Sequence, residues 1–451
     1  MEYNKNIRRL DKGEILLGDK MTDQFIKNII ALGKREIPEA IRYEAKSALI
    51  DYLGVRLAGS RVMNHQCATL IEDLGDTMQN RALIGGVCAH VIELDDGHRI
   101  GMVHPGAPVI SALLAVARMF PVSPADLLRG IVIGYEVVIR LACAVQPSHK
   151  LKFYHATGTC GTVGAAMGIA TMLGFDFEQT KSAFSAATTS AAGILEMIDG
   201  DTQMKPYNAG RAAMDGVTAA FIGKARFKSP ANALGGKRGF LNVMSDEPKL
   251  QYVTDFSGDN YMIGSIYRKP YAACRHCHPA IEAALTFQGR ADFRMNELKH
   301  IDVITYKLAV EGHDHTKIEG SNSAKMSIPY SLAVALCTGK AGMDEFSDER
   351  IADPTVLKVA EMVSVAADDK LSALCPQKRV AVVTFKTDSG EYVERVDYPK
   401  GEPENPLSKE ELENKFRSLA MYGGLTSEEC DAVIGEIWKE DFSLDRIMKI
   451  V

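Results

Sequence analysis

Apolar residues recur at helical spacing through about the first 230 positions, and almost no segment of this half alternates as a half-buried strand does. Residues 21 to about 60 are typical of two amphipathic helices. Five further helices are predicted over 107–119, 125–144, 161–173, 177–192 and 209–225. The pattern predicts a large all-helical domain whose first part covers residues 1–266.

The pattern changes after about residue 250. Strands are predicted at 261–267, 300–309, 379–387 and 391–396. The last two flank Asp388-Ser389-Gly390, which is typical of a hairpin turn. Helices are predicted between these strands, over 279–289 and 326–337. We therefore expect a smaller α+β domain over residues 267–400.

The C-terminal segment, residues 401–451, shows two capping boxes, Ser408 with Glu411 and Thr426 with Glu429. The helices that they open resemble those of the first half, so we expect this segment to return to the helical domain. The predicted fold class is mainly α: a large all-helical domain with a smaller α+β domain as its lid and the active site in the cleft between them.

Composition excludes several classes of function. The 451 residues carry a net charge of −6 with no basic block, which argues against a nucleic-acid partner. Nine cysteines without framework spacing indicate reduced thiols, and the charged N-terminus lacks the apolar core of a secretory signal. We therefore expect a cytoplasmic protein. Residues 153–175 are almost uncharged, but they are made mostly of Gly, Ala and Thr, which favours a helix buried between helices over a membrane span.

Residues 88–108 concentrate titratable side chains ahead of a buried helix. The window contains Glu93, Asp95, Asp96, His90, His98 and His104. Glycines and a proline make it a poor helix, so we expect a loop that holds several titratable groups together, as acid–base chemistry requires. The alternative is that the aspartates only cap helix ends and that His90 and His98 face solvent.

Four other stretches hold candidate site residues. Residues 154–161, with His155, precede a helix whose N-terminus suits an anion such as a carboxylate. Lys205-Pro206 precedes another apolar helix, although a solvated loop lysine is the commoner case. Tyr330, in Met326-Ser-Ile-Pro-Tyr330, is either a core residue or a hydroxyl presented to the site.

The fourth stretch, residues 268–278, places three cations and two histidines before a helix. Lys269 and Arg275 suit carboxylate binding, because lysine supplies a point charge and arginine a bidentate clamp. The stretch also contains Cys274-x-x-Cys277-His278, the pattern of haem attachment. Haem is disfavoured without an export signal, and zinc lacks a second ligand pair nearby. His313 and His315 are more simply read as an exposed turn.

Taken together, the sequence resembles the 2-methylcitrate dehydratase / cis-aconitate decarboxylase (MmgE/PrpD) family. The resemblance rests on five motifs in order: AHVIELDDGHRIGMVHPGAP, YHATGTCGTVGAAMG, TQMKPYNAGRAAMDG, KPYAACRHCHPAIEAA and SIPYSLAVAL. It implies a helical domain with an α+β lid, a homodimer, and no metal or organic cofactor. It also implies dehydration, decarboxylation or epimerisation of a small polycarboxylate.

The resemblance assigns roles to residues of this sequence. Glu93 matches the family's acidic position, where aspartate is usual, and Cys274 stands where the decarboxylase has a histidine. The implied catalytic set is His104, His155, Lys205, Tyr330, Glu93 and Asp96. The implied substrate-binding set is Lys269, Arg275, Cys274 and His278. Within the catalytic set, His104 and Tyr330 exchange protons with the substrate, His155 assists, and Glu93 or Asp96 orients His104.

The expected activity is a cofactor-independent lyase, first of all a 2-methylcitrate dehydratase-type hydro-lyase. The alternatives are a cis-aconitate-type decarboxylase and an epimerase of a dicarboxylate such as iminodisuccinate. From other classes, the sequence leaves open a metal- or haem-binding protein built on Cys274, Cys277 and His278, and a binding protein without turnover.

Overall fold

The computed structural model describes residues 12–198, 202–258 and 261–450. The N-terminal stretch that argues against a secretory signal lies, up to residue 11, outside this range. In chain order the first thirteen helices are α1 (Lys12–Lys34), α2 (Glu39–Val62), α3 (Asn64–Leu74), α4 (Met78–Val91), α5 (Gly106–Ala117), α6 (Pro124–Val145), α7 (Ser148–Leu151), α8 (Ala156–Met172), α9 (Phe177–Ser190), α10 (Met204–Lys224), α11 (Phe240–Met244), α12 (Gln251–Thr254) and α13 (His278–Gln288).

The second half contains the strands and the closing helices. In order they are β1 (Leu298–Thr305), α14 (Lys307–Val310), α15 (Ser321–Met326), α16 (Ile328–Thr338), α17 (Asp348–Ile351), α18 (Pro354–Ala360), β2 (Val363–Ala367), α19 (Asp369–Leu374), β3 (Ala381–Thr387), β4 (Gly390–Val396), α20 (Lys409–Tyr422), α21 (Ser427–Ile437) and α22 (Leu444–Met448). The predicted class, a large helical part with a smaller α+β part, is confirmed.

Helix α8 lies at the centre of the helical part, packed against α5, α6, α9 and α10. Its small residues allow this close packing: a Cβ on Gly164 would lie 2.1 Å from a methyl group of Val138 in α6. The almost uncharged stretch that sequence reading places between helices is therefore a buried helix. Among the described residues, no helix has both the length and the hydropathy that crossing a membrane requires.

The sheet has four strands in the order β2-β1-β3-β4. β1 is parallel to β2 and antiparallel to β3, and β3 pairs with β4 in the predicted hairpin. Helix α13 packs on one face, where Phe287 stacks on Phe385 with ring centroids 4.0 Å apart. The predicted strands corresponding to β1, β3 and β4 are confirmed, and β2 was missed because its outer residues are largely exposed.

The predicted strand at 261–267 is wrong. Residues Met262–Ser265 form a 3-10 helix, and only Tyr267 makes an isolated bridge, to Gly97. The local cause is a side-chain acceptor: the buried Glu136 carboxylate of α6 accepts the Met262 backbone N–H at 2.8 Å, in place of a strand partner. This segment therefore joins the two halves as a turn.

Both capping boxes of the closing helices are confirmed, at Ser408 with Glu411 and at Thr426 with Glu429. Helix α20 packs against α2 near the other end of the chain. The Lys415 ammonium of α20 bonds the buried Asp51 carboxylate of α2 at 2.6 Å and the Leu94 carbonyl at 2.7 Å. The last helices thus support the loop that precedes His104.

Candidate active site

Two cavities lie where the loop between α4 and α5 meets the loop before α13. Their volumes are about 120 Å³ and about 780 Å³. Both are lined by Glu93, His104, Lys150, Lys205, Cys274 and His276, so they adjoin, and we call the pair the cleft. The cleft brings together side chains from both halves of the chain.

The loop between α4 and α5 has a strained backbone. Glu93 and Met102 both have positive φ angles, 59° and 48°, which L-residues rarely adopt, and both line the cleft. Each such residue costs roughly 1–3 kcal/mol and persists only where surrounding contacts hold it. Here the contacts include two lysines on the Glu93 carboxylate and carbonyl.

Glu93 is ionised and shared between two ammonium groups. Lys205, in the first turn of α10, bonds one carboxylate oxygen, and Lys269 bonds the other at 3.1 Å and the Glu93 carbonyl at 3.0 Å. Burial alone would raise the pKa of Glu93, but the two lysines hold it well below its usual range. Glu93 therefore fixes the positions of two cations in the cleft.

His104 is held as a neutral imidazole with one nitrogen available. Its Nδ1 lies 2.7 Å from the Asp96 backbone carbonyl, which can only accept, so Nδ1 carries the proton. Its Nε2 makes no hydrogen bond to the described residues, and the side chain, 15% exposed, lines the cleft. Burial lowers the pKa of His104 well below its ordinary value, against the opposing effect of Asp95. This nitrogen can accept a proton.

Behind His104 stand two more imidazoles and one carboxylate. The rings of His104 and His90 have centroids 4.8 Å apart, and those of His90 and His155 are 6.3 Å apart. Asp95 Oδ2 lies 2.6 Å from His90 Nδ1 and 3.4 Å from His104 Nδ1. Burial alone would raise the pKa of Asp95, but the two histidines lower it, so it stays an anion beside them.

Three cations of the cleft have an unsatisfied donor. Neither the Lys150 nor the Lys325 ammonium forms a hydrogen bond or an ion pair with the described residues, and burial lowers the pKa of both. Arg379 packs over the Tyr267 ring, and its buried Nη1 lacks a hydrogen-bond partner among these residues. Unpaired cations in a cavity suit an anionic ligand.

His90, Asp95 and His104 have ligand atoms within 4.8 Å of one another, close enough for a metal ion. The fit to a cation is poor. His104 Nδ1 donates to the Asp96 carbonyl, so a metal could use only its Nε2, and Asp95 Oδ2 already bonds His90 Nδ1. The Lys269 ammonium also acts on Asp95 and His104, and it would repel a cation there. This group fits acid–base chemistry better than metal binding.

Comparison with known proteins places the chain in a family. A model of the MmgE/PrpD N-terminal domain matches residues 24–253, and a model of the MmgE/PrpD C-terminal domain matches residues 271–440. The chain belongs to the MmgE/PrpD family. It is 26% identical over 442 residues to a cis-aconitate decarboxylase-like protein of Aspergillus oryzae, covering 89% of this chain and 90% of the relative. It is 23% identical over 427 residues to the human cis-aconitate decarboxylase, covering 89% and 88%.

Six of the predicted site residues lie in the cleft. Those that line its smaller cavity are Glu93, His104, Lys205, Lys269, Cys274 and Arg275. These residues come from three separate segments, and Lys269 is only 1% exposed. The lysine that precedes Pro206 is therefore part of the cleft and not a solvated loop residue.

Arg275 and His278 are placed differently from the prediction. The Arg275 guanidinium donates twice to the buried Glu402 carboxylate and also to the carbonyls of Pro399 and Lys400. His278 lies between the Arg275 guanidinium and the Ala273 carbonyl and faces neither cavity. The predicted carboxylate clamp at Arg275 is corrected, because its donors are already used to anchor the loop.

Tyr330 and the Asp96 carboxylate lie outside the cleft. The Tyr330 hydroxyl is buried and donates to the Glu345 carbonyl at 2.8 Å, so it is the core residue of the two alternatives. The Asp96 carboxylate accepts from the Tyr135 hydroxyl at 2.6 Å and from the Gly106 N–H at 3.0 Å. Asp96 orients His104 through its backbone carbonyl, not through its carboxylate.

His155 supports the cleft from behind. Its Nδ1 lies 2.8 Å from the Asn208 side-chain oxygen, and burial lowers its pKa to about 3. The predicted anion position at the start of α8 is closed, because a Cβ on Gly158 would lie 2.0 Å from that same Asn208 oxygen. His155 therefore lies behind His90 and lines neither cavity.

Several cleft residues escaped the sequence prediction. His90, Asp95, Lys150, His276, His313, Lys325 and Arg379 all line the cleft or contact a residue that does. The prediction of an exposed turn at His313 is wrong, because this residue is 7% exposed and lines the larger cavity. His90 and Asp95 stand in the window at 88–108, and His276 stands in the stretch at 268–278, whereas Lys150, Lys325 and Arg379 carry no local sequence signal.

The placement of the Cys-x-x-Cys-His pattern argues against haem or zinc. Cys277 is fully buried, and its thiol donates to the Lys325 carbonyl at 3.8 Å. Cys274 faces the cleft, whereas His278 points into the loop behind it. These three side chains do not converge on one point, and all nine cysteines are free thiols.

Proposed function

We propose that this protein is a cofactor-independent lyase that moves a proton at a carbon next to a carboxylate of a small polycarboxylate. The observation that carries the proposal is the smaller cavity. Five basic side chains line it against one acid, Glu93, together with a neutral histidine whose Nε2 is available. The basic residues are Lys150, Lys205, Lys269, Arg275 and Arg379.

We assign carboxylate binding to three cations that each have a donor without a partner among the described residues. Lys150 and Arg379 line the smaller cavity, and Lys325 lines the larger one. A carboxylate that meets an unpaired, desolvated cation replaces no existing ion pair, so its binding costs little reorganisation. Three separate cations match a substrate with two or three carboxylates better than one with a single carboxylate.

His104 acts as the base. Its Nε2 forms an N–H bond with the proton of the substrate C–H group, and the electrons of that C–H bond become an enediolate on the adjacent carboxylate. Lys205 and Lys269, held in place by Glu93, stabilise the added negative charge. Asp95 stabilises the imidazolium that forms on His104, because it is an anion 3.4 Å from Nδ1.

Within this class we infer dehydration of the 2-methylcitrate type, because dehydration requires a base to remove a C–H proton. Decarboxylation breaks a C–C bond and requires only a proton donor for the resulting carbanion. It is the second candidate, supported by the names of the Aspergillus oryzae and human relatives. Epimerisation uses the same proton removal and returns the proton on the other face.

The test is to incubate the purified protein with 2-methylcitrate, citrate and cis-aconitate separately. Dehydration forms a double bond conjugated with a carboxylate, which raises ultraviolet absorbance, whereas decarboxylation releases carbon dioxide. We expect an absorbance rise with a hydroxy polycarboxylate and no release of carbon dioxide. Carbon dioxide release from cis-aconitate would select the second candidate, and no reaction with any polycarboxylate would contradict the proposal.

A further inference from the structure

A cysteine–histidine pair faces the cleft and has no part in the mechanism above. Cys274, on the loop before α13, lines both cavities, and His313, between α14 and α15, lines the larger one. His313 Nδ1 donates to the Glu311 carbonyl at 2.9 Å, which fixes its proton there. Its Nε2 is buried and has no hydrogen-bond partner among the described residues.

The thiol and the imidazole control each other's protonation. Burial alone would raise the pKa of Cys274, but His313, the His276 N–H and the Lys269 ammonium together lower it to about 6. Burial alone would lower the pKa of His313, but the Cys274 sulfur and the Glu311 carbonyl raise it. These opposite shifts favour a thiolate on Cys274 when His313 is protonated, so the two groups together hold one proton that can be transferred within the larger cavity that both line.

We propose that Cys274 is the catalytic proton donor of the cleft and that His313 is the positioning residue that supplies its proton. This assignment rests on the proposed function and completes it. His104 presents an unprotonated nitrogen, and the Cys274–His313 pair presents a proton, to the same cavity. A lyase needs both a base and an acid, and Tyr330 lies too deep to be that acid.

The step balances without a co-reactant. The S–H bond of Cys274 breaks and its proton forms an O–H bond with the leaving hydroxyl, which departs as water with the C–O electron pair. In a decarboxylation the same proton forms a C–H bond with the carbanion. Sulfur is left as a thiolate beside the Lys269 ammonium, and it regains a proton from solvent through His313 once the product leaves.

The surroundings of the sulfur favour this arrangement. The charged or titratable side chains that share its cavities are Glu93, His104, Lys150, Lys205, Lys269, Arg275, His276, His313, Lys325, Asp344, Asp348, Cys375 and Arg379. Six of these thirteen are lysines or arginines and three are carboxylic acids, and this excess of cations stabilises a thiolate. Cys375 lines the smaller cavity too, but burial raises its pKa, so it offers an internal comparison in the same cavity.

The first experiment measures alkylation of each cysteine by iodoacetamide, by mass spectrometry, between about pH 5 and pH 9 on the full-length protein. In the wild type we expect Cys274 to react with a midpoint near pH 6, whereas Cys375 stays unreactive there. His313→Gln should move the Cys274 midpoint up by more than about one pH unit, toward the ordinary cysteine value of about 8.5. His315→Gln should leave it unchanged, because His315 bonds the Ser323 carbonyl.

The second experiment measures turnover of the active polycarboxylate. We expect Cys274→Ala to lower kcat by roughly 100-fold or more, with KM changed far less, because a positioned proton donor typically contributes about 10²–10⁴-fold. Cys274→Ser keeps the size but not the acidity and should lose a similar factor. Circular dichroism and thermal melting of both variants check that they fold.

The outcomes separate this assignment from the function it rests on. If no polycarboxylate reacts, the proposed function fails, but the alkylation profile still reports the pair, and slower alkylation of Cys274 with tricarballylate present still reports binding. Wild-type turnover by folded Cys274→Ala would overturn the assignment. So would an ordinary thiol profile for Cys274, or the same profile in His313→Gln.

Discussion

Lys150→Met should weaken substrate binding and leave the fold intact. The Lys150 ammonium lines both cavities, forms no ion pair with the described residues, and has a pKa lowered by burial. Methionine keeps the length of the apolar stem and removes only the charge. The substitution therefore isolates the contribution of one cation to polycarboxylate binding.

The expected magnitude follows from the contact that is lost. A hydrogen bond between a charged donor and a carboxylate contributes about 1.5–3 kcal/mol, which is roughly a 10- to 150-fold change in affinity. We expect KM to rise by that factor and kcat to change by far less, because Lys150 binds a carboxylate that does not react. The free energy of unfolding should not fall, because the native state loses a desolvated charge and no native ion pair.

The assay is steady-state kinetics, with calorimetric binding of unreactive tricarballylate as a check that does not depend on turnover. Lys152→Met is the matched control: it lies two residues away, but its ammonium bonds Asp246 at 3.1 Å and the Val243 carbonyl at 3.2 Å outside the cleft. Unchanged affinity for tricarballylate in Lys150→Met would refute the assignment. A loss of stability much larger than in Lys152→Met would show that Lys150 has a structural role.

Three further substitutions test other parts of the site. His104→Gln should fold normally and lose roughly 100-fold or more in kcat, since glutamine cannot accept the proton; steady-state rates check this. Arg275→Ala should lower the free energy of unfolding in urea by about 3 kcal/mol, because the buried Glu402 then keeps only Arg99 as an ion-pair partner among the described residues. Asp96→Asn should keep turnover within about threefold of the wild-type value, because the backbone carbonyl that orients His104 remains. Loss of a residue that transfers a proton would lower the rate far more. Burial raises the pKa of Asp96 to about 7, so the native state binds the carboxyl proton more tightly than the unfolded chain does. The stability that this proton contributes is lost as pH rises through about 7. Asp96→Asn should therefore flatten the dependence of the free energy of unfolding on pH in this range.

The fold class could be predicted from the sequence because hydrophobic periodicity is a local property of the chain. Seven helices of the first half, but neither α3 nor α4, and three of the four strands follow from spacing and turn residues alone. The strand that was wrongly predicted at 261–267 depended on a distant acceptor, Glu136, which no local pattern reports. Strand β2 was missed because its exposed residues weaken the alternation.

The site was predictable in part because some of its residues lie in local sequence motifs. The window around His104 and the motifs at Lys205 and Lys269 stand out in the sequence, and all three residues line the cleft. Which of two adjacent aspartates lies beside the histidines depends on the unusual backbone of the loop, so sequence favoured Asp96 over Asp95.

The remaining errors in predicting the site arose from ion pairs between residues that lie far apart in the sequence. Arg275 looked available for a carboxylate substrate, but Glu402, 127 positions later in the chain, occupies its donors. Conversely, Lys150 and Lys325 look like ordinary lysines in the sequence, and only the folded chain shows that they lack acidic partners in the cleft. An ion pair or its absence is a property of packing, which sequence spacing does not encode.

The central claim is that His104 removes a proton from a carbon next to a carboxylate. Proton NMR of candidate polycarboxylates in D2O, with wild type and His104→Gln compared at equal concentration, tests it most directly. We expect the wild type to exchange or remove a C–H proton next to a carboxylate. We expect His104→Gln to leave that proton in place while it still binds tricarballylate. Exchange by His104→Gln at the wild-type rate, or full retention of every such proton by the wild type, would contradict the account.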